Sequence, residues 1–179
     1  IMYTGGLYWA WKGVAGLIAA HKDLDDKAWL VIVGGSPKPE HLAQLKAQVQ
    51  ELGLKRVVFT GFIPPARVPE YLAGADVLVL PNSAKAEISA NYTSPLKLFE
   101  YLAAARPVVA TDLPSLREIL INDINAVLVK PDDSDLLAQG IGRVLDEPDL
   151  AKHLALAGRQ TAKNYTWEKR AQTPIEALN

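Results

Sequence analysis

DVLVLPNSAKAEISANYTSPLKLFEYLAAARPVVAT, residues 76–111, is the stretch whose reading decides the fold. It opens on DVLVL (76–80) and closes on PVVAT (107–111), both apolar at nearly every position, as parallel strands covered on two faces should be. Between them, residues 95–104 place Leu96, Phe99 and Ala103 on one side of a helical period. A strand, a helix and a second strand over this length imply a parallel pair joined by a right-handed crossover.

Working outward, the same alternation recurs. Further strands are expected at 1–4 (IMYT), 29–33 (WLVIV), 57–60 (VVFT) and 125–129 (NAVLV). Helical patterns fall near 13–21, 39–52, 66–73, 115–120, 134–146, 148–164 and 167–177, and Ser115 with Glu118 has the spacing of a capping box. The fold class expected is α/β, a Rossmann-like doubly wound parallel sheet of about six strands. One domain is expected over 1–179, with the sheet and its covering helices to about residue 165 and a carboxy-terminal helix over 166–179.

The totals narrow the function classes. A chain of 179 residues with 49% hydrophobic and 22% charged residues has a globular composition. Its net charge of −1, with both signs interspersed, provides no global field to recruit nucleic acid or an anionic membrane. The absence of cysteine excludes a disulfide scaffold, a thiolate metal site and a cysteine nucleophile. No apolar run approaches bilayer-spanning length, and the amino terminus does not read as a signal peptide. Ile1 opens what reads as a strand already under way, which suggests a piece cut from something longer.

In a doubly wound sheet, ligands bind at the carboxyl ends of the strands where the winding reverses. In the order 3-2-1-4-5-6, strands 1 and 4 flank that crevice. Their following loops are TGGLYWAWKG (4–13) and PNSAKAEISANYTSP (81–95), both longer than the usual connection. The first supplies Gly5 and Gly6, which permit close backbone approach, then Lys12 at the start of its helix. The second supplies Thr93, Ser94 and Lys97. With Ser94 as N-cap and Pro95 the first helical residue, Lys97 falls in a first turn that disfavours cations unless an anion lies alongside. Two lysines and two helix starts around one crevice suit a diphosphate. Glu100, three residues beyond Lys97, could accept hydrogen bonds from a ribose.

Plainer readings compete. Lys97 and Glu100 could form a solvated i,i+3 ion pair, and Lys12 could be an ordinary helix-opening lysine. Gly5-Gly6 and Gly34-Gly35 read as turns, without the Gly-x-Gly-x-x-Gly pattern of a dinucleotide site. Asp132, Asp133 and Asp135 read as caps and dipole partners rather than metal ligands. His21, His41 and His153 lack partners at ligand spacing. No Gly-x-Ser-x-Gly elbow is present. Trp9 and Trp11 could stack on a ligand ring or pack on another domain.

YTSPLKLFEYLAAARPVVATDLPSLREIL (92–120) resembles the signature of the carboxy-terminal, donor-binding half of GT-B-fold glycosyltransferases, specifically retaining family 4 of the glycosyl transferases group 1 type. TGGLYWAWKGVAGLIAA (4–20), VIVGGSP (31–37), VVFTGFIPPARVPEYLAGADVLVLP (57–81) and WEKRA (167–171) extend the resemblance over nearly the whole chain. It implies a single nucleotide-sugar-binding domain, with the sugar transferred to an acceptor held by an amino-terminal domain absent from this sequence. That absent domain is also the expected partner of helix 166–179. Gly5, Gly6, Lys12, Thr93, Ser94 and Lys97 would then hold the diphosphate, Glu100 the ribose, and Phe62 and Ile63 the base. Members carry a sugar-contacting glutamate at the position of Tyr92 and a phosphate-contacting arginine at the position of Gly6, and the Leu7-to-Lys12 spacing is one residue longer here.

The resemblance assigns no catalytic residue, no metal and no cofactor, the nucleotide sugar being a substrate. Its base is expected to be that of UDP or GDP, and the process polysaccharide or glycoconjugate biosynthesis. The expected location is the cytoplasm, with any membrane contact made through the absent domain, and no nucleic-acid partner is expected. A nucleotide-sugar epimerase of the same fold, using Glu87, Glu100 or Tyr92, and a non-catalytic nucleotide-binding or scaffold module are the alternatives.

Overall fold

The computed structural model describes the backbone of residues 1–176 and the side chains of residues 1–171. Six strands form one sheet: β1 (Met2–Thr4), β2 (Leu30–Val33), β3 (Val57–Gly61), β4 (Leu78–Leu80), β5 (Val108–Thr111) and β6 (Val127–Val129). Their order is β3-β2-β1-β4-β5-β6, and all neighbours run parallel. The winding therefore reverses between β1 and β4, as expected from the sequence. Among the described residues there are eight α-helices: α1 (Val14–His21), α2 (Pro39–Glu51), α3 (Val68–Ala73), α4 (Leu96–Ala103), α5 (Pro114–Arg117), α6 (Ser134–Asp146), α7 (Pro148–Ala162) and α8 (Trp167–Glu176). The expected end of the last helix at 177, and the tail beyond it, lie outside the described residues.

Alternation along each strand explains the two cores. Val77, Val79 and Val109 join Leu17, Ile18 and Ile141 of α1 and α6 on one face. Leu78, Leu80, Val108 and Ala110 join Leu98, Leu102 and Leu116 of α4 and α5 on the other. With both faces covered, the strands must be apolar throughout, which is why they were legible.

The expected capping box at Ser115 and Glu118 does not form. Pro114, with its preset φ, starts α5 one residue earlier, so Leu113 takes the cap position and Ser115 lies inside the helix. Ser115 Oγ instead donates to the Ser89 carbonyl at 2.8 Å, tying α5 to the loop after β4. Within that loop, Ile88–Tyr92 winds into a π-helical turn where only irregular backbone was expected.

Far from the crevice, buried His21 joins α1 to the entry of β3. Its Nε2 lies 3.3 Å from Asp25 Oδ1 and 3.2 Å from the Arg56 carbonyl. Two acceptors at one nitrogen require the proton there, which leaves Nδ1 as a buried acceptor without a partner. Burial lowers the His21 pKa, and the Asp25 carboxylate only partly offsets this. Burial acts to raise the Asp25 pKa, but the N–H groups of Lys55 and Arg56 and the His21 charge outweigh it and bring it below the usual value. Below the ordinary histidine value of 6.5, the unfolded chain therefore takes up a proton that the folded one refuses. The unfolding free energy from urea titration is expected to fall from that pH downward, at no more than about 1.4 kcal/mol per pH unit for one proton. A further loss follows below the ordinary aspartate value of 3.8, as Asp25 protonates first in the unfolded chain. His21→Gln should remove the first loss, and an unchanged profile would place it elsewhere.

Candidate functional site

The loop after β1 carries no regular helix until Val14. Ala10–Lys12 forms a short 3-10 turn, and Gly13 follows at φ 72° as the N-cap of α1. Lys12 therefore precedes the helix rather than opening it: only the left-handed Gly13 lets the chain turn from one helical segment into the next. Trp11 accepts the Ser83 N–H at 2.8 Å, which binds this loop to the exit of β4. On its other side, the Gly5 N–H donates to Val33 and the Leu7 N–H to Gly35, both at 2.9 Å. Gly34, at φ 139°, approaches so closely that an added Cβ would lie 2.0 Å from the Gly5 carbonyl oxygen.

The helix start after β4 also differs from expectation. Pro95 is extended, with φ −72° and ψ 126°, and takes the cap position, so α4 begins at Leu96. A residue before proline is held out of the helical region, so Ser94 does not begin the helix, and the extended ψ of Pro95 moves the cap one residue beyond it. Further along α4, the buried Tyr101 hydroxyl accepts the Thr4 N–H at 2.7 Å and the Thr4 hydroxyl at 3.2 Å. That pair fixes α4 against the end of β1 and brings Lys97, one turn earlier, over the first loop.

These loops enclose a cleft of about 820 Å³ at the carboxyl ends of the strands. Gly5, Gly6, Lys12, Phe62, Ile63, Thr93, Lys97 and Glu100 all line it, but Ser94 and Tyr92 do not. Tyr92 is 74% exposed at the end of the π turn, whose winding carries it off the cleft. Thr93 does reach the cleft, with its hydroxyl donated to the Ile88 carbonyl at 2.6 Å.

The two lysines, drawn from separate loops, share this one cavity, and each rests on aromatic faces. Lys97 Nζ lies 3.9 Å from the Tyr3 ring centre, and Lys12 Nζ lies 4.9 Å from that of Tyr8 and 5.8 Å from that of Trp11. Lys97 Nζ is out of solvent contact and makes no hydrogen bond, so the solvent-reached part of this residue is its stem. Burial first, and the Lys12 charge second, bring its pKa well below the ordinary lysine value, while Glu100 pulls the other way. Burial also lowers Lys12. No ion pair joins Lys97 to Glu100, which removes the plainer reading of that spacing.

Some of the lining was not anticipated. Gly34, Gly35, Ser36 and Pro37 belong to the cleft, so the second glycine doublet is more than a turn; its place at a strand's carboxyl end was the available signal. Asn82 also lines the cleft and buries its Oδ1 without a partner, and no local pattern marks it. Tyr8 fills the space over Gly6, where an added Cβ would meet its ring at 2.4 Å. Outside the cleft, Asp133 caps α6 by accepting the Leu136 N–H, and Asp132 accepts from Ser83 Oγ and the Ala84 N–H. Trp11 lines the cleft, whereas Trp9 lines only a second cavity.

Residues 1–147 match the family model described as glycosyl transferases group 1. The chain belongs to that family. Among curated relatives, it is 32% identical over 159 residues to the lipopolysaccharide core biosynthesis glycosyltransferase LpsD of Rhizobium meliloti, covering 88% of this chain and 43% of that protein. It is 28% identical over 167 residues to a D-inositol 3-phosphate glycosyltransferase of Xylanimonas cellulosilytica, covering 92% and 38%. The chain thus spans less than half the length of these relatives.

Among solved structures, Anabaena Alr3699/HepE, determined in complex with UDP, superposes with a TM-score of 0.88 at 23% identity over 99% of this chain and 47% of that one. Sucrose-phosphate synthase from Thermosynechococcus elongatus gives 0.86 at 27% identity, over 99% and 44%. Both share the Rossmann-like fold described above over nearly the whole of this chain. Among the described residues, no helix is long and apolar enough to cross a membrane.

Proposed function

We propose that this chain is the donor-binding domain of a retaining glycosyltransferase, and that its cleft holds the nucleoside diphosphate of a sugar donor. The observation that carries this reading is that Lys12 and Lys97 enter one cavity where the sheet's winding reverses. Gly5, Gly6, Thr93 and both lysines would surround the diphosphate. Phe62 and Ile63 would hold the base and Glu100 the ribose. Departure of the diphosphate concentrates negative charge on its oxygens while the sugar becomes oxocarbenium-like, and cations fixed around those oxygens stabilise the change. The UDP complex of a neighbour with the same fold supports the ligand class.

The acceptor would be held by an amino-terminal domain outside this sequence, on which α8 would pack. The chain alone would then bind donor without transferring sugar, and would work in the cytoplasm. Ser94 and Tyr92 take no part in this reading, because neither lines the cleft.

Titration calorimetry with UDP, GDP, ADP and inorganic pyrophosphate provides the test. One nucleotide is expected to bind more tightly than pyrophosphate. Glu100→Ala should weaken that nucleotide by roughly ten- to a hundredfold, the worth of a hydrogen bond to a charged group, and leave pyrophosphate unchanged. Absence of heat with all four ligands would overturn the assignment.

A further inference from the structure

Lys97 carries an inference about how the cleft accepts its ligand, one that rests on the diphosphate reading above. Its amino group makes no hydrogen bond and lies out of solvent contact against the face of Tyr3, while its stem lines the cavity that also takes a second cation, Lys12. An added Cβ on Gly5 would come within 3.5 Å of Nζ, so the first loop closes over it. A charged ammonium in such a place forfeits its hydration and gains no acceptor in return. We propose that Lys97 waits against Tyr3 as a neutral amine and becomes the ammonium only as a diphosphate enters, so that filling the cleft consumes one proton from solution.

Every ionisable group facing Lys97 is consistent with this. On β1, Tyr3 is held as the neutral phenol by burial, as is Tyr101 on α4, so neither supplies an anion. In the loop after β1, Lys12 repels a second charge, and the Tyr8 ring lies beneath Lys12. Glu100, on the same helix, attracts one, but it ranks last of the three influences on Lys97 and forms no ion pair with it. A diphosphate between the lysines would reverse the balance, because its oxygens supply both the acceptor and the countercharge that the amine lacks. The proton comes from water or buffer, and no covalent bond changes. Above the free amine's own titration point, affinity is then expected to fall up to about tenfold per pH unit.

The test is calorimetry of UDP, GDP and ADP at pH 8 in Tris and in HEPES, buffers of different ionisation enthalpy. At that pH the nucleotides carry no titrating phosphate proton. The expected result is a binding heat that differs between the buffers by the uptake of about one proton per site. Equal heats in the two buffers overturn the proposal and leave the diphosphate reading standing; no heat with any nucleotide overturns both. Lys97→Arg keeps a permanent charge, so it should bind with equal heats in the two buffers, and a retained difference would place the proton elsewhere. Should that variant fail to fold, a pH titration of the native chain with carbon-13 lysine still decides. One lysine Cε is expected to titrate apart from the others and below the ordinary lysine value, and all of them titrating together near that value would overturn the proposal.

Discussion

Replacing Lys97 with methionine is expected to stabilise the ligand-free chain while removing most of its affinity for a nucleoside diphosphate. The two effects have opposite signs because the amine has no partner in the fold, though a ligand would provide one. Methionine fills a similar volume with apolar atoms and leaves nothing unsatisfied against Tyr3. Removing an unpaired buried polar group is worth about 1–3 kcal/mol, which should appear as a higher urea midpoint with an unchanged slope. Removing one side of a desolvated charge contact weakens binding by about 2–5 kcal/mol, roughly 30- to several-thousand-fold. Calorimetry with the nucleotide that binds the native chain measures the second effect. A lowered midpoint would mean that Nζ is satisfied after all, and unchanged affinity would put the lysine outside the binding site. A side chain that harms the fold and serves the ligand is what a binding site, rather than a structural contact, should show.

The sheet was legible because its strands are buried on both faces: Val77 and Val79 serve one core while Leu78 and Leu80 serve the other. The crevice followed from the strand order, and with it the two loops that carry Lys12 and Lys97. Helix starts were less legible, since two local signals compete there. At Ser94 and Ser115 a capping residue adjoins a proline, and the proline decides the boundary: Pro114 opens α5, whereas Pro95, extended at ψ 126°, takes the cap of α4. What the sequence could not reveal was the setting of Lys97. That depends on Tyr101 reaching Thr4, 97 positions away in the chain, and on the ring of Tyr3 beneath the amine. Neither contact leaves a local pattern. Asn82 is hidden for the same reason, because only the assembled loops bury its side chain.

Gly13→Ala is expected to cause the largest loss of stability, about 3 kcal/mol or more, because two separate causes act at one atom. At φ 72° an alanine is strained wherever space allows, at a cost of about 1 kcal/mol or more. Here space does not allow it: the new Cβ would lie 1.7 Å from the Pro81 carbonyl oxygen and 2.6 Å from its carbon. These are backbone atoms at the exit of β4, so no side chain can rotate away, and the two loops themselves must part. Parting them stretches the Ser83-to-Trp11 hydrogen bond and displaces Lys12, the residue before Gly13. Nucleotide affinity should therefore fall together with the urea midpoint. Gly16→Ala, three residues on, is the matched control. Gly16 lies within α1, is exposed, and a Cβ there meets nothing within 4 Å, so alanine should raise stability by roughly 0.5–1 kcal/mol. If the two substitutions shift the midpoint alike, helix propensity governs both positions and Gly13 does not pin the loops together. If they diverge in sign, the close approach at Gly13 is what holds the first lysine-bearing loop against the second.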